Sequence, residues 1–155
     1  MKRILLVSII FALSVSGCNR DRSETSSIVE IRENMFLTQI NDINLNYREY
    51  LGRIIKLEGF ITRNNWNDRD YYFVIRNGPN CCGDDGDVGF EISWTTDMDG
   101  SGHPMDLRST FPEENEWVQA IGELRSYDFM GYPFLYLALS ELNVLQTRGL
   151  EHVFR

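Results

Sequence analysis

The chain has 155 residues, with 23 acidic against 15 basic side chains and a formal charge of −8. That length is one domain's worth and enough for a single hydrophobic core. The acid surplus removes the lysine and arginine excess on which phosphate-backbone binding depends, so no nucleic-acid partner is expected.

Met1-Lys2-Arg3 is a short basic segment, and residues 4–15 form an apolar run of about a dozen residues. The run is too short for a membrane span and has the form of a secretory signal. Val15-Ser16-Gly17-Cys18 closes it in a pattern that resembles the lipobox of bacterial lipoproteins. The resemblance implies that Cys18 is acylated with diacylglycerol and becomes the new N-terminus after cleavage. Two or more acyl chains anchor a protein stably, where one chain binds only marginally. Asn19 follows in place of the aspartate of an inner-membrane retention signal, which favours the outer membrane in a host that has two. Loss of residues 1–17 removes Lys2 and Arg3 and no acid, so the charge becomes −10. The rival reading is an ordinary signal peptide with a chance cysteine. The domain division is therefore residues 1–17 as lipoprotein signal peptide, 18–27 as lipidated cysteine and flexible polar tether, and 28–155 as the folded domain.

Residues 28–44 are expected to add a strand packed along the body of the domain. Residues 46–52 (NYREYLG) read as a short helix, with Asn46 as its cap and Gly52 as its stop. Beyond them the periodicity is two. Ile55, Leu57 and Ile61 share a face, as do Tyr71, Phe73 and Ile75. Val88, Phe90, Ile92 and Trp94 alternate with Gly89, Glu91 and Ser93, and Val118, Ala120 and Leu124 align in the next run. Residues 134–145 are nearly all apolar and are expected to be buried on both faces. Residues 64–70 and 127–133 read as hairpin turns, and the long connection 95–116 has room for one helical turn. Five strands with a longer link between the third and fourth predict a mainly β fold, a small five-stranded OB-like barrel. A β-sandwich is the alternative, because spacing alone does not fix strand order.

Several segments carry a family resemblance: 28–36 (IVEIRENMF), 41–52, 55–60 (IKLEGF), 71–78 (YYFVIRNG), 79–91 with its double cysteine, 137–139 (LAL), and Arg148-Gly149 with Glu151. Together they resemble the C-terminal domain of the YcgQ-type family, bacterial proteins that look like partners of a permease. The resemblance implies an OB-like domain working at a membrane surface, with a permease or another envelope protein as partner, and no reaction. Those relatives carry hydrophobic membrane segments ahead of this domain, where the present chain has the lipobox-like pattern.

The double cysteine is the chemical feature of the sequence. Neighbouring Cα atoms lie about 3.8 Å apart, below the roughly 4.4–6.8 Å that disulfides usually span. A bridge between Cys81 and Cys82 would therefore be strained and readily reduced. Two thiolates suit zinc or copper, with Asp84, Asp85, Asp87 or, more weakly, His103 completing a site. That reading requires a turn, supplied by Gly78-Pro79 and Gly83. The alternatives are a loop that only shapes a surface, and a thiol-disulfide enzyme, which the three aspartates oppose by raising a thiol pKa. Arg76 is expected to be a solvated residue on the outer strand face. Residues 84–87 and 97–100 (DMDG) resemble pieces of calcium loops without the full ligand spacing. Trp66, Tyr71, Tyr72 and Trp94 are an aromatic set that bases could stack on; the charge favours core and barrel rim instead. No nucleophile triad, phosphate loop or HExxH helix is present. The expectation is a non-catalytic, lipid-anchored envelope binding domain. It would serve transport or thiophilic-metal handling through the Cys81–Cys82 loop. The alternatives are a thiol-disulfide enzyme and a plain envelope interaction protein.

Overall fold

The computed structural model describes residues 28–79, 85–100, 102–104 and 111–154. Five long strands carry the fold: β2 (Ile54–Trp66), β3 (Arg69–Pro79), β4 (Asp85–Ser93), β5 (Trp117–Phe129) and β6 (Tyr132–Val144). They follow β1 (Val29–Glu30), a 3-10 turn (Glu33–Met35), α1 (Phe36–Leu45) and α2 (Tyr47–Tyr50). β2 pairs antiparallel with both β3 and β5, and β3 pairs antiparallel with β4. β4 lies parallel to β6, and β6 returns antiparallel to β5. The ring β2-β3-β4-β6-β5-β2 therefore closes, which removes the exposed edges an open sheet would present. This is the expected OB-like barrel, and the sandwich alternative falls with it. β1 adds in parallel to the first half of β2, through Val29↔Ile55 and Glu30↔Lys56.

Two hairpins set the shape of the molecule at one end. Asn67 and Asp68 (φ 51° and 59°) link β2 to β3, and Met130 and Gly131 (φ 53° and 85°) link β5 to β6. Paired residues with positive φ make the two-residue turns whose twist matches that of the strands they join. Both turns fall inside the segments expected from the sequence. Among the described residues of the 95–116 connection there is no helix, only an isolated bridge between Met98 and Pro104 and single turns closed by Gly102 N to Asp99 O and Glu116 N to Glu113 O.

The N-terminal segment departs from expectation. Residues 28–44 hold only two strand residues; the 3-10 turn follows, and α1 takes the segment from Phe36 onward. Phe36, Leu37, Ile40 and Ile43 recur at helical spacing and are all buried. That stripe joins Leu57, Val74 and Leu124 of the barrel in one core cluster. Asn46 holds the N-cap position of α2 as expected, but without a side-chain capping bond; its side-chain amide donates to Asp42 Oδ1 at 2.7 Å, one turn back. Gly52, at φ 80°, does reverse the chain after α2. Gly78 and Pro79 make no turn either, since both continue β3, opposite Gly86 and Asp85.

Arg76 is the largest correction. It is not solvated: at 1% exposure it is among the most deeply buried large side chains. Its guanidinium lies between the Phe36 and Trp117 rings, 4.7 and 4.9 Å from their centroids. Nε donates to the Glu58 carbonyl at 2.8 Å, and Nη1 donates to Glu33 Oε2 at 3.0 Å and the Leu150 carbonyl at 3.1 Å. The same Glu33 oxygen accepts from the Leu150 amide at 2.9 Å. These bonds hold the Glu33 carboxyl below its ordinary range. One arginine thereby joins the 3-10 turn, the barrel and the C-terminal segment. That segment also pairs with β3, through Asn77 N to Glu151 O and Val153 N to Asn77 O, both 2.8 Å.

Candidate functional site

Side chains alternate across a strand, so the barrel strands have a second face. On β4, Phe90 and Ile92 join the core cluster, while Glu91 points the other way. Glu91 is nevertheless only 3% exposed. It pairs with Phe73 of β3 and with Tyr136 of β6. Aromatic residues from β3, β5 and β6 cover it, so this patch of the sheet is buried on both faces. The apolar run of β3 (DYYFVIR) supplies one row to each side: Tyr72 and Val74 to the core, Tyr71 and Phe73 to the Glu91 side.

The two long hairpins meet over this patch. Trp66, at the end of β2, packs edge-on against Phe129, at the end of β5, with centroids 5.0 Å apart. His103, from the connection between β4 and β5, wedges beneath them. Its imidazole lies 5.2 Å from the rings of Tyr127 and Phe129 and 5.9 Å from Tyr71. Asp99 holds this loop in place. One carboxylate oxygen accepts from the His103 backbone amide at 3.0 Å, and the other takes the Arg69 guanidinium, which also donates to the Pro104 carbonyl. Arg69 in turn lies over the Tyr71 ring at 5.3 Å.

Two polar groups are left under-satisfied there. Tyr127 Oη donates to Glu91 Oε2 at 2.7 Å, the one hydrogen bond to that carboxyl among the described residues. Burial pushes the Glu91 carboxyl up to about 7, against the Tyr127 bond and the Arg69 charge, which pull it down. Burial and the adjoining carboxyl hold the Tyr127 phenol well above its ordinary value, so it stays a donor. His103 is 8% exposed, and its Nε2 has no partner among the described residues. Both groups border a cavity of about 150 Å³, walled by the Trp66, Tyr71, Phe73, Tyr127, Phe129 and Phe134 rings, with Asn64 at its margin. A wider space of about 360 Å³ adjoins it, sharing Trp66, Tyr71, His103 and Phe129 and adding Asn67, Asp99 and Asp128. A concave, ring-lined space beside a buried carboxyl of perturbed pKa is a candidate small-molecule site.

A family model described as DUF1980 C-terminal domain matches residues 17–152. The chain belongs to that family. No curated protein matches this DUF1980 domain. Among solved structures, the dimeric N-terminal domain of the PriB protein from Thermoanaerobacter tencongensis is similar over 61% of this chain and 97% of that one. The identity is 13% and the TM-score 0.32, too loose a likeness to carry an argument.

The residues singled out in the sequence are distributed differently. Cys18, Cys81, Cys82 and Asp84 lie outside the described residues. The backbone of Asp85 pairs with Pro79, and Asp87 is an exposed β4 residue opposite Asn77. His103 packs at the Tyr71 end of β3, whereas the cysteines follow its other end, Pro79. Eight residues of extended strand, roughly 26 Å at about 3.3 Å each, separate Tyr71 from Pro79. Among the described residues no three His, Cys, Asp or Glu side chains gather as metal ligands. Asp99 of the calcium-like stretch is occupied by Arg69 and by the loop's own backbone. Nor do the four stacking aromatics form one platform: Tyr72 turns to the core side and stacks on Phe111 at 4.1 Å. In the sequence Glu91 stands out only as a polar-face strand residue and Tyr127 only as the start of a hairpin turn, whereas Tyr127 lies within β5. The available signal was a glutamate between two buried apolar residues, opposite a strand apolar on both faces.

Proposed function

We propose that this DUF1980 domain is a non-catalytic, lipid-anchored binding domain of the bacterial cell envelope, and that its small-molecule ligand enters the aromatic cavity over Glu91. The observation that carries the reading is an under-satisfied buried pair, Glu91 and His103 Nε2, bordering a walled cavity. Its place supports it too. OB barrels commonly bind ligands on the face formed by their second and third strands, between the loops that join strands one to two and four to five. Here the corresponding parts are β3 and β4 with the two long hairpins. The lipobox-like ending at Cys18 and the polar residues 19–27 would present the domain to membrane partners such as a permease.

Fragment soaking of crystals of the chain tests the ligand site. Ligand density beside Glu91, lost in Trp66→Ala, is expected; a cavity that stays empty while fragments settle elsewhere overturns it. Cys18→Ser tests the anchor separately. The variant should leave the membrane fraction and lose labelling by fatty acid, and a variant that stays membrane-bound and labelled contradicts the anchor.

A further inference from the structure

The charged groups around the cavity bear on the kind of ligand it would take. The two adjoining spaces are bordered by three carboxylates, Glu91, Asp99 and Asp128, against one guanidinium, Arg69. Arg69 is already committed to Asp99 and to the Pro104 carbonyl. Among the described residues Glu91 makes no ion pair at contact distance and feels the Arg69 charge only from further off, although it is the most buried of the three acids. An anionic ligand would meet these carboxylates. A neutral apolar ligand would leave the buried Glu91 carboxylate without a counter-charge, and an unpaired buried charge is costly. For a metal ion, the three carboxylates and the imidazole do not gather: among the described residues no three His, Cys, Asp or Glu side chains come together as ligands.

Rings respond differently to a cation, because their faces carry the negative part of the aromatic quadrupole. Tyr71 already accepts one such contact from Arg69. Rings lining a cavity that borders a buried carboxylate suit an ammonium group: the carboxylate balances its charge, and the rings replace its water.

We infer that the ligand of this cavity is an organic cation, an alkylammonium or quaternary ammonium group, seated against Glu91 within the rings of Trp66, Tyr71, Tyr127 and Phe129. The inference rests on the reading of the cavity as the domain's ligand site. It adds the chemical class of the ligand.

Isothermal titration of the full chain at pH 8 with choline, and with its uncharged isostere 3,3-dimethylbutan-1-ol, separates charge from shape. Choline should bind saturably, and the neutral isostere at least about tenfold more weakly. Glu91→Gln should weaken choline by at least about tenfold and leave the isostere unchanged, with circular dichroism and melting confirming its fold. Trp66→Ala provides a second variant that does not disturb the core, since Trp66 is 42% exposed. It should weaken choline several-fold, on the order of one exposed cation–ring contact. Equal binding of choline and the isostere, or choline binding indifferent to Glu91→Gln, overturns the inference. So does an anionic or uncharged fragment that occupies the cavity while choline does not, although the ligand site itself would then stand. If neither choline, the isostere nor any fragment enters, the inference and the proposed site fall together.

Discussion

Two buried charges, on opposite faces of the same strand pair, are treated very differently by this fold. Arg76 has three hydrogen-bond acceptors and two ring faces around it. Glu91, almost as deeply buried, has one phenol and a cavity. A buried charge whose partners are complete belongs to the architecture, and removing it leaves orphans behind. A buried charge with missing partners weakens the fold unless something else supplies them, and such groups gather at functional sites. The contrast separates scaffold from site without reference to any relative.

The comparison breaks most visibly at Arg76. Arg76→Met should cost about 2–4 kcal/mol, because it strands the Glu58 and Leu150 carbonyls and releases the C-terminal segment. Denaturant unfolding measures this, and a loss below about 1 kcal/mol would mean that the clamp is decorative. Glu33, half-exposed, contributes the smaller part of that figure.

Glu91 sharpens the contrast through pH. Its folded carboxyl titrates near 7 and its ordinary value is 4.5. Between those values the folded state binds more protons than the unfolded state, so stability must fall as pH rises through that window. The loss reaches at most about 3 kcal/mol by pH 8. Unfolding followed from pH 5 to 8 should show this slope, and Glu91→Gln should flatten it. Glu30, Glu33 and Asp42 have lowered pKa values, so their contributions vanish only as pH falls below about 4.5, outside this window. A slope of equal size in Glu91→Gln would assign the effect to other groups.

A smaller test lies beside the clamp. A Cβ on Gly149 would sit 2.3 Å from Glu33 Oε2 and 3.1 Å from the Trp117 ring. Gly149→Ala should therefore cost about 1–2 kcal/mol by overpacking, read as a lowered melting temperature. Unchanged melting would mean that the C-terminal segment yields without consequence.

The barrel was legible because its signals are local: period-two runs, two positive-φ turns, and a long link after the third strand. The failures share a cause. A stripe of Phe36, Leu37, Ile40 and Ile43 has helical spacing, but the neighbouring strand pattern drew 28–44 into the sheet. Arg76 and Glu91 stand at positions where a charge normally faces water. Only the closure of the barrel, the return of residues 149–153 along β3 and the meeting of two hairpin tips bury them. None of those contacts is local in sequence. His103 was noticed for its type, yet its place under Trp66 and Phe129 depends on a connection with no regular pattern.

The most direct test sets the two buried charges side by side at pH 8. Melting temperatures of the wild type, Arg76→Met and Glu91→Gln would be measured in one buffer, each with and without choline. Arg76→Met should be the least stable and should still gain from choline. Glu91→Gln should be at least as stable as the wild type, since it removes an unpaired buried charge, and should gain nothing. If Glu91→Gln instead loses as much stability as Arg76→Met, Glu91 is a structural charge like its counterpart, and the cavity above it is not a site.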